Sequence, residues 1–189
     1  WGSDYTENIN KLREVVNETS LEYLDYDGEV IDAMFFSTSN GYTETASMVF
    51  DVDLPYLQSV KSSWDEKTSS AFRSVTTIPI EDFYNKLNLE YSDSLDVKIL
   101  KRSSTNRIIS LSINGIEFTG KTLYDKLGLK STDFSLKKDG NNIVVSTVGY
   151  GHGVGMSQYG AEGMAEEGYD YQEILKYYYS GTNIKKMEN

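Results

Sequence analysis

Cysteine is absent from the 189-residue chain, so it can form neither a disulfide nor a thiolate metal site. Histidine occurs once, at His152, which also excludes a multi-histidine zinc site, and no cofactor-binding signature is evident. The lack of cysteine does not by itself fix a compartment. Long apolar runs are missing too. Stretches such as residues 33–36 fall far short of the roughly 20 residues needed to cross a bilayer, and Trp1 begins no basic-then-apolar signal pattern. Positive charge is scarce, with 18 Lys and Arg against 29 Asp and Glu, a formal net charge of −11 and a pI of about 4.6. A field of that sign repels a phosphate backbone and argues against nucleic acid as a partner.

What is present fits a soluble globular chain: 39% hydrophobic and 25% charged residues, enough to bury a core in one domain or in one domain with an inserted lobe. The first residues, Trp-Gly-Ser-Asp, lack an initiator methionine and lead straight into a helical pattern, which suggests a fragment whose natural start lies upstream. The 15 tyrosines suit sugar stacking and ordinary half-buried packing alike. Ile9, Leu12, Val15 and Val16 recur at helical spacing over residues 5–18, with Asp4 placed to cap. Residues 21–26 and 29–36 read as strands joined by Asp27-Gly28, a hairpin turn, and the second runs into a polar loop from Ser37 to Glu44. A helix is expected over residues 78–87, with Pro79 in its first turn, followed by a polar stretch over 91–96. Strands follow at 97–100, at 107–113 and 116–119 joined by an Asn114-Gly115 turn, and at 143–148, with a short helix over 121–127. Helices are expected from about Met156 to Glu167 and from Asp170 to Tyr179, where Asp170 and Glu173 can form a capping box. This order predicts an α+β fold of mixed helices and antiparallel strands. The core domain is assigned to residues 1–78 and 149–189, and a β-rich inserted lobe to 79–148.

Gly149, Gly151, Gly153 and Gly155 alternate along one loop, a pattern that lets another group approach the main chain closely. A dinucleotide cradle would need glycine where Val154 or Met156 stands, and no Gly-Lys-Ser or Gly-Lys-Thr follows, so both nucleotide motifs fail on spacing. A serine triad is equally unsupported, since no Gly-x-Ser-x-Gly elbow is present. Two readings remain open. The loop presents His152, with the helix start at Ser157 and Gln158 offering backbone donors to a sugar acetamide or hydroxyl; or the glycines allow tight strand-to-helix packing around a structural histidine.

The stretch GYGHGVGMSQYGA over residues 149–161, followed by Glu162-Gly163-Met164-Ala165, resembles the signature of the stage II sporulation protein D family, which includes the amidase enhancers. IDAMFFSTSNGYTE over 31–44, LPYLQSVKSSWDE over 54–66, GKTLYDKLGLKSTDF over 120–134 and YQEILKYYYSGT over 171–182 extend the resemblance over most of the chain. Tyr150 and Tyr159 stand where tryptophan is frequent in that family, and Asn40 where glycine is.

The resemblance implies a lytic transglycosylase acting in sporulation (engulfment), which cuts between N-acetylmuramic acid and N-acetylglucosamine as the muramyl 6-hydroxyl attacks its own C1. That chemistry needs one carboxyl group, first as acid and then as base. In the family this glutamate belongs to an N-terminal segment near a Glu-Met-Pro motif, and nothing here matches it. The chain alone is therefore expected to be inactive, with Glu44 as the best local carboxylate. The residues expected to bind glycan are Ser37, Thr38, Ser39, Tyr42, Tyr56, Gly151, His152, Gly153, Ser157 and Gln158, with Trp64 either lining the groove or packing. The expected partners are peptidoglycan glycan strands and stage II sporulation proteins P, an amidase, and M. An extracytoplasmic, wall-facing location is implied, with membrane anchoring through an N-terminal segment. A noncatalytic peptidoglycan-binding or amidase-stimulating module is the competing reading. Either way, the Ser37 and His152 loops are expected to meet at one cleft.

Overall fold

The structure is a computed structural model and describes residues 4–188. It is α+β: seven helices and eleven strands among the described residues, in sheets that are antiparallel except for one short parallel pair. The contacts divide the chain into two compact units, residues 4–32 with 181–188, and residues 33–180. No helix of the described residues is long and apolar enough to cross a membrane.

The smaller unit begins with helix α1 (Tyr5–Glu18), whose bounds match the sequence expectation, although Asp4 stands at its N-cap without a side-chain capping bond. Strand β1 (Glu22–Tyr26) pairs antiparallel with β2 (Glu29–Val30) through the Asp27-Gly28 turn, where both residues take positive φ as a tight hairpin requires. The last strand of the chain, β11 (Asn183–Lys186), covers the other side of β1. The single strand expected over 29–36 is broken after Val30, and only β3 (Phe35–Phe36) resumes, pairing elsewhere.

In the larger unit, short helices α2 (Ala46–Phe50) and α3 (Asp65–Thr68) precede β4 (Arg73–Pro79). Pro79 closes that strand, at the N-cap of α4 (Ile80–Leu87), instead of entering the helix's first turn. Helix α4 buries Ile80, Phe83, Tyr84 and Leu87, the i, i+3, i+4, i+7 stripe of an amphipathic helix. Strands β5 (Val97–Arg102), β6 (Ile108–Ile113) and β7 (Ile116–Thr119) form a meander, turning at Asn114-Gly115. Helix α5 (Gly120–Leu127) follows. Then β8 (Phe134–Asp139) and β9 (Asn142–Val148) form a hairpin, and β9 pairs on its other side with β4. The two sheets and helices α4 and α5 close over one apolar core with Phe83, Leu111, Ile113, Leu123, Ile143 and Val145 at its centre.

Strand β10 (Met156–Ser157) then leads into α6 (Gln158–Glu166), which starts two residues later than the periodicity suggests because Met156 and Ser157 are pulled into strand pairing. Helix α7 (Tyr171–Tyr178) carries the expected capping box: Asp170 Oδ1 accepts from Glu173 N–H at 2.8 Å, and Glu173 Oε2 from Asp170 N–H at 2.9 Å.

Candidate functional site

The serine-rich loop and the glycine-rich loop are bound into one piece. Strand β3 lies parallel to β10, with Phe35 opposite Met156 and Phe36 opposite Ser157. Beyond it, Thr38 and Tyr150 exchange both backbone bonds, at 2.9 and 2.7 Å, and Glu44 N–H donates to Gly153 O at 2.7 Å. Such close approach explains the glycines. At Gly155, φ is +79° and a Cβ would lie 2.0 Å from Met34 O; at Gly153, it would lie 2.6 Å from Arg107 Nη2.

Beneath the loops lies a carboxylate that sequence reasoning did not single out. Asp65, fully buried, accepts from Ser39 N–H at 2.7 Å, Ser39 Oγ at 2.9 Å and Ser62 Oγ at 2.6 Å, and also from Ser157 Oγ. Tyr178 OH lies 2.6 Å from Ser62 Oγ, and burial pushes this phenol well above its ordinary range. Asp65 stands in the segment LPYLQSVKSSWDE that carries part of the family resemblance, but an acid in a helix's first turn usually points to solvent, so nothing marked it as an anchor.

The expected glycan-binding residues therefore separate by exposure. Thr38, Ser39 and Ser157 have no exposed surface; Thr38 pairs with Ser69 at 2.8 Å, and the two serines serve Asp65. Ser157 also caps α6 by accepting from Gly160 N–H, which is its local reason for being serine. Tyr56 is buried and Ser37 half-buried, while Gln158 and Tyr42 are exposed. Trp64 packs edge-on to Tyr177, their ring centres 5.6 Å apart, and covers Gly163.

Two cavities border the joined loops. One, of about 320 Å³, is lined by Asn40, Tyr42, Lys61 and Asp133 among others. The other, of about 360 Å³, is bordered by Gly151 and His152 from the glycine-rich loop, Glu44 from the serine-rich loop, Arg107 beside the β5–β6 turn, Phe50 from α2 and Tyr124 from α5. The second cleft concentrates the chemistry. His152 Nε2 lies 3.1 Å from Phe35 O, and Val154 N–H donates to His152 Nδ1 at 3.1 Å. A carbonyl on one nitrogen and an amide donor on the other fix the neutral tautomer with its proton on Nε2. Phe36 and Phe50 flank the ring, with centres 5.7 and 5.3 Å away.

Glu44 is 3% exposed, and its hydrogen bonds fall on Oε1, from Ser103 Oγ at 2.7 Å and from Thr105 Oγ1. Arg107 Nε is 3.9 Å from the same oxygen, close enough for ion pairing but beyond hydrogen-bond distance. Arg107 Nη1 donates to Ser131 Oγ at 3.2 Å, whereas its Nε and Nη2 are buried without hydrogen-bond partners. Burial pulls this guanidinium below its ordinary pKa, opposed by Glu44 and Asp133. Among the described residues no cluster of His, Cys, Asp and Glu has the geometry to hold a metal ion.

Burial lowers the His152 pKa below the ordinary 6.5 and the nearby Arg107 charge lowers it further, against the opposing bond to Phe35 O. A lowered folded-state value means that the unfolded chain binds the proton first. The histidine's contribution to stability is thus complete above 6.5 and fades as pH falls through that value toward the folded one. In His152→Gln, which cannot titrate, the loss of stability between about pH 7.5 and about pH 5 should be smaller than in the parent chain. Denaturant midpoints at each pH check this; an identical pH profile would show that His152 is not a titrating contributor.

No family model matches the chain. Stage II sporulation protein D of Bacillus amyloliquefaciens is 42% identical over 190 residues, covering 100% of this chain and 55% of that protein. The protein of the same name in Bacillus subtilis (strain 168) is 42% identical over 189 residues with the same coverage. The amidase enhancer of that strain is 28% identical over 239 residues, covering 97% of this chain and 33% of its own length. The chain thus spans about half the length of the stage II sporulation proteins it matches. With alignment running from one end of the chain to the other, through both loops that build the cleft, the chain belongs to the stage II sporulation protein D family.

Proposed function

We propose that this chain is the glycan-holding part of a peptidoglycan lytic transglycosylase that works on the cell wall during sporulation, and that the proton donor comes from a part of the longer protein outside these 189 residues. The observation that carries the reading is the union of two loops more than 100 residues apart around a cleft bearing Glu44, Arg107 and His152. The cleft's one carboxylate is already engaged: Oε1 of Glu44 takes hydroxyls from the β5–β6 turn and faces a guanidinium. Those partners favour a fixed anchor over a group that must first deliver a proton to a leaving oxygen. Neutral His152, with both nitrogens engaged, braces the glycine-rich loop.

Without a positioned acid, cleavage loses roughly 10²- to 10⁴-fold. The purified chain should therefore bind glycan strands but release no anhydromuramyl ends, whereas the longer protein should release them, with mass spectrometry as the readout. Anhydromuramyl products from the 189-residue chain alone would overturn this division of labour and put Glu44 first among candidate acids. The relative named amidase enhancer supports a second reading, a noncatalytic wall-binding module. That reading wins if the longer protein binds strands and leaves them uncut.

A further inference from the structure

The smaller unit carries an apolar surface that its own packing does not use. Helix α1 presents Ile9, Leu12 and Val16 at i, i+3 and i+7, one face of a helix, with Val15 at the flank. Such a stripe ordinarily lies against a core. Here no residue of α1 is buried: Leu12 and Val15 are each 47% exposed, and Val16 is 65% exposed. At 14 residues α1 is also short, and helices of about 12–15 residues or fewer are marginal in water unless a face is packed.

The character of the stripe narrows what covers it. The charged residues on the rest of α1 are Glu7, Glu14 and Glu18 against Lys11 and Arg13, in a chain of net charge −11. A helix that lies on a membrane surface uses an excess of Lys and Arg to hold anionic lipid, and α1 has none. Its size argues against a separate protein, a second copy included. A helix of this length is about 21 Å long and about 10 Å across, so its apolar face offers on the order of 200 Å². A stable interface between separate molecules takes about 800 Å² from each partner. A tethered segment needs far less, because the connecting chain keeps it at high effective concentration.

The longer relatives contain enough chain to supply one. This chain covers 55% of the stage II sporulation proteins it matches, so a little under half of such a protein lies outside it. Both ends of the described chain fall in the smaller unit: α1 starts at Tyr5, and β11, paired with β1, stops at Lys186. Residues joined at either end therefore leave from the unit that holds the open stripe. We propose that this face of α1 is the docking surface for an amphipathic helix from the part of the longer protein outside these 189 residues, whose apolar side chains interdigitate with Ile9, Leu12 and Val16. Helical spacing on one side selects a helix on the other, because ridges of side chains three and four residues apart fit matching grooves. The inference is independent of the glycan reading, since it turns on how the longer protein is assembled and not on what it cuts or binds.

Two measurements test it. Amide hydrogen exchange read by mass spectrometry should show residues 12–17 protected roughly tenfold or more in the longer protein relative to the 189-residue chain. In the longer protein, p-benzoylphenylalanine in place of Val16 should crosslink on illumination within one molecule, to a peptide outside the 189 residues. The same group in place of Glu14, on the opposite face, should not. Equal exchange in the two proteins overturns the inference. So does a crosslink from position 16 to a second copy, to a residue among the 189, or to nothing. Should the bulky group unfold the longer protein by circular dichroism, the exchange comparison, made on unsubstituted proteins, decides alone.

Discussion

Replacing Asp65 with Ala should lower the unfolding free energy of the chain by about 3–5 kcal/mol, the largest single loss expected. Four donors converge on this carboxylate, the Ser39 amide and the hydroxyls of Ser39, Ser62 and Ser157, in a region with no exposed surface. Each donor stripped of its acceptor in the interior costs roughly 1–3 kcal/mol, and re-pairing among the hydroxyls recovers part of the sum. Asp65→Asn should cost less, since one oxygen and the side-chain volume remain. Urea midpoints on the three proteins decide the matter. A loss below about 1 kcal/mol for the alanine variant would mean that the serines are held by their backbones alone and Asp65 is not the anchor.

Gly155→Ala should cost about 3 kcal/mol or more, for two separable reasons. The backbone there is at φ +79°, which a side chain penalises by roughly 1–2 kcal/mol. The Cβ would also sit 2.0 Å from Met34 O, the oxygen that accepts from Met156 N–H, so strand β10 must move away from the residue before β3. Gly128→Ala isolates the first cause: φ is +65° there and nothing lies within 4 Å of the added carbon, so only about 1–2 kcal/mol is expected. Equal losses at the two positions would refute the packing argument.

How far the sequence could be read depended on whether each signal was local. Helix α1, the Asp27-Gly28 and Asn114-Gly115 turns and the capping box of α7 are local devices, and each is found at the expected residues. Strand β8, with the sequence FSLKKD, has too little apolar alternation to stand out; its pairing with β9 makes it a strand. The same holds for β4, whose Ser-Val-Thr-Thr run, exposed from Val75 to Thr77, has no strong period, and for β11. At the site, the four alternating glycines announced a close approach but not what approaches, which proved to be the main chain at Met34 and the guanidinium of Arg107. Asp65 and Arg107 escaped notice because an isolated acid or base in a polar context looks like surface until its surroundings are known.

The pairing of Arg73 with Val148 at one end of β4 and β9 bears on the order in which the molecule assembles. Bringing Phe36 to Ser157 directly from an unfolded chain would close a loop of more than 100 residues for a strand pair two residues long, an unfavourable exchange. Once the sheets and helices between Arg73 and Val148 have condensed on their own core, that separation collapses to segments 37–72 and 149–155. The middle of the chain thus acts as a splint, and the joined loops are its late product. Amide hydrogen exchange should reflect this history. Core amides in β6 and β9 should exchange only through global unfolding, while those of Thr38, Glu44 and Tyr150 open in a separate, less costly event. Separation of the joined loops can then precede loss of the fold.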